Sequence, residues 1–196
     1  MNLILASSSP YRRQLLERFG LPFEHYAPDV DEQAKPGENP LQLAQRLSLA
    51  KALAVQNQLS RKQTPHHWII GSDQTAACEG QLYGKPGDFD SALKQLSALS
   101  GKTALFHTGV CVLNSATQTQ LSAVVSTRVV FRSLENDTII RYLEREQPFD
   151  CAGSFKAEGL GIALFDAIQS DDPTALTGLP LIRLRQLLEQ SGCQVI

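Results

Sequence analysis

Short unbroken apolar runs, amphipathic stretches of helical period and polar stretches with proline and glycine alternate along the chain and mark out its elements. Residues 3–6 and the run led by Trp68-Ile69-Ile70 (68–77) are apolar at consecutive positions, the pattern of strands covered on both faces. Residues 23–27 read as a further strand. Ser9-Pro10 opens a helix, with serine as cap and proline at the first helical position; Leu15, Leu16 and Phe19 form its inner face and Gly20 stops it. Asn39-Pro40 repeats that opening. The helix after it, to about residue 58, carries Leu43, Leu47, Ala50 and Ala54 at helical spacing, which leaves Lys51 on its polar side. Residues 29–40 are a polar loop, and 60–67 form a second polar stretch. Glu79-Gly80 reads as a hairpin turn from which 81–83 returns. Residues 88–99 read as a helix ending at Gly101. Residues 102–113 and 122–132 are two long strands joined near Asn114-Ser115, the second rich in Val and Thr. A helix over 134–146 capped by Ser133, a loop-rich stretch over 148–178 with a short strand near 162–165, and a last helix over 180–191 complete the pattern. The sum predicts one α/β domain over residues 1–196, built on a mixed sheet.

Composition narrows the function classes. The 196 residues are 42% apolar and 19% charged, enough for a sizeable core, and the formal net charge of −2 gives no overall basic field for a nucleic-acid backbone. A nucleic-acid partner is therefore not expected, whereas a small anion needs only local cations. No apolar stretch approaches the roughly 20 residues of a membrane span, and the opening Met1 to Ala6 lacks the form of a signal peptide. Cys78, Cys111, Cys151 and Cys193 are scattered and make no CxxC pair, so they read as reduced thiols of a cytoplasmic protein.

The chemistry concentrates in a few places. Ile69-Ile70-Gly71-Ser72-Asp73-Gln74 drives an apolar strand into a carboxylate, which is costly to desolvate without a metal ion or a lysine beside it. Gly71-Ser72 reads as room for a ligand to approach the backbone, at the strand end where open α/β sheets bind ligands. Ser7-Ser8-Ser9 leads into a helix N-terminus with Arg12 and Arg13, an arrangement suited to phosphate oxygens and equally to a capped helix with solvated arginines. Asp31-Glu32 lies in a loop; an acid turned inward toward Asp73 makes a hard-oxygen site for Mg2+ or Mn2+. Lys85, between Gly84 and Pro86, can bind phosphate as a point charge, but neither this run nor Gly101-Lys102-Thr103 is a P-loop. Cys151-Ala152-Gly153-Ser154-Phe155-Lys156-Ala157-Glu158-Gly159 brings two glycines, a cation and an acid together. HExxH and GxSxG are absent from the sequence, which disfavours covalent acyl chemistry.

Taken in order, Leu5-Ala6-Ser7-Ser8-Ser9-Pro10 with Arg12-Arg13, Val30-Asp31-Glu32, Gly71-Ser72-Asp73-Gln74, Gly84-Lys85-Pro86, His107-Thr108-Gly109 and Ala152-Gly153-Ser154-Phe155 resemble the Maf family of nucleoside triphosphate pyrophosphatases. The resemblance implies a long, mixed, twisted sheet flanked by helices with a cleft between two lobes, a homodimer, a divalent metal, and cleavage between the α and β phosphates. It makes Asp73 the match to the family's catalytic aspartate. For a metal-assisted hydrolysis the residues themselves then suggest Glu32 and Asp73 as the carboxylates that help hold the metal, and Ser7, Arg12, Arg13, Lys51 and Lys85 as the groups on the phosphates. Gly71-Ser72-Asp73-Gln74, with Tyr11 and Glu158, is similar to the subfamily acting on 7-methylguanosine triphosphate; the subfamily acting on thymidine and uridine triphosphates differs at all three places. A 7-methylated guanine is cationic, so Tyr11 is expected to stack on it for about 0.5–2 kcal/mol. Glu158 is expected to accept from its N1–H and amino edge, and Gln74 to orient it. Whether Asp73 acts mainly as base or as metal ligand stays open at this point, as do pyrimidine triphosphates as substrates and a non-catalytic nucleotide-binding regulator.

Overall fold

The computed structural model describes residues 2–60 and 66–196, so most of the polar stretch predicted at 60–67 lies outside the described residues. In chain order the elements are β1 (Leu3–Ala6), α1 (Pro10–Glu17), β2 (Phe23–Tyr26), α2 (Pro40–Ser60), β3 (Trp68–Cys78), β4 (Gln81–Tyr83), α3 (Phe89–Leu99), β5 (Thr103–Asn114), β6 (Gln120–Phe131), α4 (Asn136–Glu146), β7 (Phe165–Gln169) and α5 (Leu181–Gln190). Short 3₁₀ turns stand at Ala152–Ser154 and Leu160–Leu164. The sheet is mixed, in the order β2-β1-β3-β5-β6-β7 with β4 paired to β3. β1 is parallel to β2 and β3, while β4 and β7 run antiparallel to their partners. The mixed-sheet α/β class read from the sequence is what is found. No helix among the described residues is long and apolar enough to cross a membrane.

Two compact units divide the chain: Met1–Asp73 with Thr108–Val125 and Asp172–Ile196, and Gln74–His107 with Ser126–Asp171. In the first, strand parity sorts side chains onto two faces. Leu3, Leu5, Ile70, Val110 and Val112 pack with Leu15 and Leu16 of α1 and Leu184, Leu187 and Leu188 of α5. Ile4, Ala6, Ile69, Cys111 and Leu113 pack on the other face with Ala52, Val55 and Leu59 of α2. Both faces are thus covered, as the unbroken apolar runs of β1 and β3 required.

Helix α2 lies unusually close to its strands because two of their residues lack side chains. A Cβ on Gly71 would overlap the Ser48 carbonyl and crowd the Ala52 amide; a Cβ on Gly109 of β5 would overlap the Ala44 carbonyl. The sequence reading gave Gly71 to a ligand. The structure gives that space to the helix backbone instead.

In the second unit, Phe106, Phe131, Phe155 and Phe165 stack edge to face, with centroid separations of 4.8–5.7 Å. This cluster pins the 3₁₀ turn at Ala152–Ser154, where Gly153 takes φ +74° and sits against the Phe106 ring. Two expectations need correction here. Glu135, not Ser133, precedes α4, because the Leu134 amide is bound by Ser100 Oγ at 2.7 Å and residue 134 is held out of the helix. The strand placed near 162–165 begins only at Phe165: Gly161 packs onto the Lys156 backbone, and 160–164 coils into a 3₁₀ turn.

Gly71→Ala is expected to destabilise the protein by about 3 kcal/mol, the upper end for overpacking, because the clash is with helix backbone that cannot swing aside. Urea unfolding of Gly71→Ala beside Gly84→Ala, whose site is sterically open and without a positive φ, checks this; equal midpoints would mean that the helix contact carries no such constraint.

Candidate active site

The same parity decides where the chemistry points. Ile69, Gly71 and Asp73 alternate on the α2 face of β3, and Ile70 and Ser72 on the opposite face. Lys51 follows the turn of α2 that docks on Gly71, so its stem runs along the sheet toward the strand end. Its Nζ donates to Asp73 Oδ1 at 2.6 Å and to Glu32 Oε1 at 2.7 Å. Lys51 and Asp73 are each only 6% exposed, whereas Glu32 reaches in from the loop with most of its side chain in solvent. Lys51 therefore does not lie on the polar side of its helix, as its spacing suggested. The buried residues of α2 are Leu43, Ala44, Leu47, Ser48, Lys51, Ala52, Val55 and Leu59, so Leu43 and Leu47 face the core as expected while Ala50 and Ala54 turn partly outward.

Arg12 joins this cluster from α1. Its Nε donates to the Gly178 carbonyl at 2.8 Å and its Nη1 lies 3.5 Å from Ser7 Oγ. Ser7 is buried and accepts the Ser9 amide; Ser9 caps α1 through the Arg12 amide at 3.4 Å. Arg13 projects into solvent one residue on, and Tyr11 is half-buried in the same first turn. Burial pushes the Asp73 carboxyl above its ordinary value, against the pull of Lys51 and Arg12. Burial likewise lowers the Arg12 guanidinium, with Asp73 and Glu32 opposing that shift. A carboxylate so raised is a stronger proton acceptor than a solvated one and still sits among cations suited to phosphate.

Ser7, Arg12, Lys51, Glu32 and Asp73 are thus brought together within the first unit. Gln74, Lys85 and Glu158 belong to the second unit. There Gln74 is half-buried on β3, and Lys85 and Glu158 are exposed on loops. Those loops are tied by one residue that the sequence reading passed over. Gln95 on α3 donates to the Gly84 carbonyl beside Lys85 at 3.2 Å and accepts from Ser154 Oγ at 2.7 Å. Glu146 Oε2 accepts the Leu160 amide at 2.7 Å, and the Tyr142 hydroxyl accepts the Lys156 amide at 3.1 Å, which fixes both ends of the segment bearing Glu158. Ser72 was noted only as part of the Gly71-Ser72 pair, and Gly178 was passed over; its contact singles it out, since it lies 166 positions from Arg12.

The family model described as "Maf-like protein" matches residues 2–191, and the chain belongs to that family. A protein of Xanthomonas axonopodis pv. citri named 7-methyl-GTP pyrophosphatase is 52% identical over 193 residues, covering 98% of both chains. A protein of the same name from Pseudomonas aeruginosa is 48% identical over 194 residues, covering 99% of this chain and 98% of its own. Among solved structures, the Staphylococcus aureus Ham1 protein aligns with 67% of this chain and 72% of its own at 9% identity and a TM-score of 0.44.

Lys51→Met is expected to cost about 3 kcal/mol at neutral pH, because it strands a buried carboxylate. The deficit should shrink as pH falls: without Lys51 the Asp73 pKa rises further, and protonation then neutralises the stranded group. Denaturant titrations of the variant and the parent at pH 7.5 and 5 measure this; a gap independent of pH would separate Asp73 from the cost.

Proposed function

We propose that this protein is a metal-dependent nucleoside triphosphate pyrophosphatase that hydrolyses 7-methyl-GTP to 7-methyl-GMP and pyrophosphate. The observation that carries the reading is the convergence of Asp73, Glu32 and Lys51 on one point beside Arg12. Membership of the Maf family and the names of its half-identical relatives support the reaction and the substrate.

Glu32 and Asp73 would hold Mg2+ or Mn2+. Both are hard-oxygen donors that meet on the Lys51 ammonium, so the ion would be taken beside Nζ; among the described residues there is no cluster of three or more His, Cys, Asp or Glu to complete a protein-only cage. Two carboxylates with phosphate and water oxygens are the usual surroundings of such a cation. The ion, when bound, neutralises triphosphate charge and makes water more acidic. Asp73 holds the attacking water and takes its proton as oxygen adds to the α phosphorus, and the bond to the bridging oxygen breaks to release pyrophosphate. Lys51 keeps the Asp73 carboxylate aimed and, with Arg12, Arg13 and Lys85, balances charge gathering on the phosphoryl oxygens. Ser7 lines the same phosphate-binding turn. Tyr11 stacks on the cationic base, Glu158 accepts from its Watson–Crick edge and Gln74 orients it. The whole chain acts as one domain of a cytoplasmic homodimer in this reading; the family match over residues 2–191 and four cysteines outside any disulfide support that setting.

Pyrophosphate release from 7-methyl-GTP, GTP, dTTP and UTP with Mg2+ or Mn2+ tests the proposal, with the methylated nucleotide expected to be preferred. Equal efficiency on pyrimidine triphosphates would overturn the substrate, and nucleotide binding without pyrophosphate would leave a regulator. Asp73→Asn is expected to retain the fold and lose about 10²–10⁴-fold in kcat, the usual worth of a positioned base.

A further inference from the structure

The guanidinium of Arg12 is aimed from behind by a backbone carbonyl, and that carbonyl is itself built into place. The Gly178 oxygen accepts two hydrogen bonds, from Arg12 Nε at 2.8 Å and from Ser72 Oγ at 2.9 Å. Ser72 also lies 2.8 Å from the Gly109 carbonyl, so its single proton is shared between β5 and the turn before α5. A guanidinium is planar and rigid, so fixing Nε fixes the directions of both terminal nitrogens.

The turn that carries Gly178 is buried and closed on itself. Asp172 Oδ1 accepts the Thr174 amide at 3.2 Å and stands 2.8 Å from the Thr174 hydroxyl, while its Oδ2 accepts the Arg183 amide at 3.1 Å. The Thr174 hydroxyl lies 2.8 Å from the Leu179 carbonyl and accepts the Leu181 amide at 2.8 Å. Thr108 Oγ1 donates to the Ala175 carbonyl at 2.8 Å, and the Gly178 amide to the same carbonyl at 2.9 Å. Asp172 and Thr174 are 2% and 8% exposed, and neither touches the catalytic carboxylates through any of these bonds. Gly178 has φ +111°, which only glycine adopts without strain, and it lies directly against Arg12, whose Nε would stand 3.4 Å from a Cβ there.

We propose that Gly178 is a positioning residue for Arg12, and that Thr174, with Asp172, sets the Gly178 carbonyl so that the terminal nitrogens of Arg12 meet the polyphosphate of the substrate. This rests on Arg12 being a phosphate ligand in the proposed reaction. Ordinary loop closure would make the turn matter for stability alone; the bond from Arg12 Nε makes it matter for anion recognition as well.

A double-mutant cycle with two readouts tests it. Arg12→Ala, Gly178→Ala, Thr174→Val and Thr174→Ser are compared singly, and the Gly178 and Thr174 variants are repeated in the Arg12→Ala background. Each is assayed for kcat and KM on 7-methyl-GTP with Mg2+, and for binding of inorganic tripolyphosphate by calorimetry. Gly178→Ala and Thr174→Val are expected to weaken tripolyphosphate binding and kcat/KM by about tenfold, as misplaced binding groups do. Thr174→Ser, which keeps the hydroxyl, should restore both. In the Arg12→Ala background the further loss should fall below about twofold, because linked groups are not additive. A full-sized loss without Arg12, or Thr174→Val equal to the parent in both readouts, overturns the proposal. Should Gly178→Ala fail to fold, the Thr174 pair decides alone. If the parent binds tripolyphosphate but releases no pyrophosphate from any triphosphate, the pyrophosphatase reading fails while the binding cycle still judges the positioning of Arg12.

Discussion

One ammonium group between two carboxylates organises this molecule. Removing the Asp73 carboxylate from water costs several kcal/mol unless a partner of opposite charge and good geometry is supplied. Lys51 supplies it, and can do so only because α2 docks hard on the sheet at Gly71 and Gly109. The reach of the lysine, the parity of β3 and the two missing side chains are one constraint seen from three sides. In the proposed reaction the same constraint sets the chemistry: an acid held high by burial and steadied by cations suits a proton acceptor beside an anionic substrate.

Much of the fold was legible because its rules are local. Unbroken apolar runs gave β1 and β3, proline after a cap residue gave α1 and α2, and Glu79-Gly80, both with positive φ, gave the β3–β4 turn. Asp73 was legible for a reason of energy: an acid at the end of a buried strand demands a partner. What stayed hidden depended on contact. The face of α2 was misjudged because alanines at 50 and 54 sit at core spacing yet tolerate partial exposure, while the apolar stem of Lys51 lies on the buried stripe. Gly71 has the same signature whether a ligand or a helix fills the space beside it. Gln95 and Gly178 act through bonds to residues far along the chain, and nothing in their immediate neighbours announces this.

The second unit follows a different logic. Its loops are stiffened by partners on α3 and α4 and by four phenylalanine rings. Rigid loops lower the ordering cost of binding, since less conformational freedom is lost when a base is held. Gln95 ties the turn beside Lys85 and the segment leading to Glu158 to one helix, so the two loops share a single anchor.

The spacing between α2 and the sheet has a consequence for how such a protein can diversify. At two adjacent strands there is no room for one methyl group, so small substitutions cannot widen the gap by degrees. The placement of Lys51 against Asp73 is frozen by steric saturation. On the proposed function, a change of substrate would arise in exposed loops, such as the one bearing Glu158, where side chains can be exchanged without moving the helix that carries the lysine.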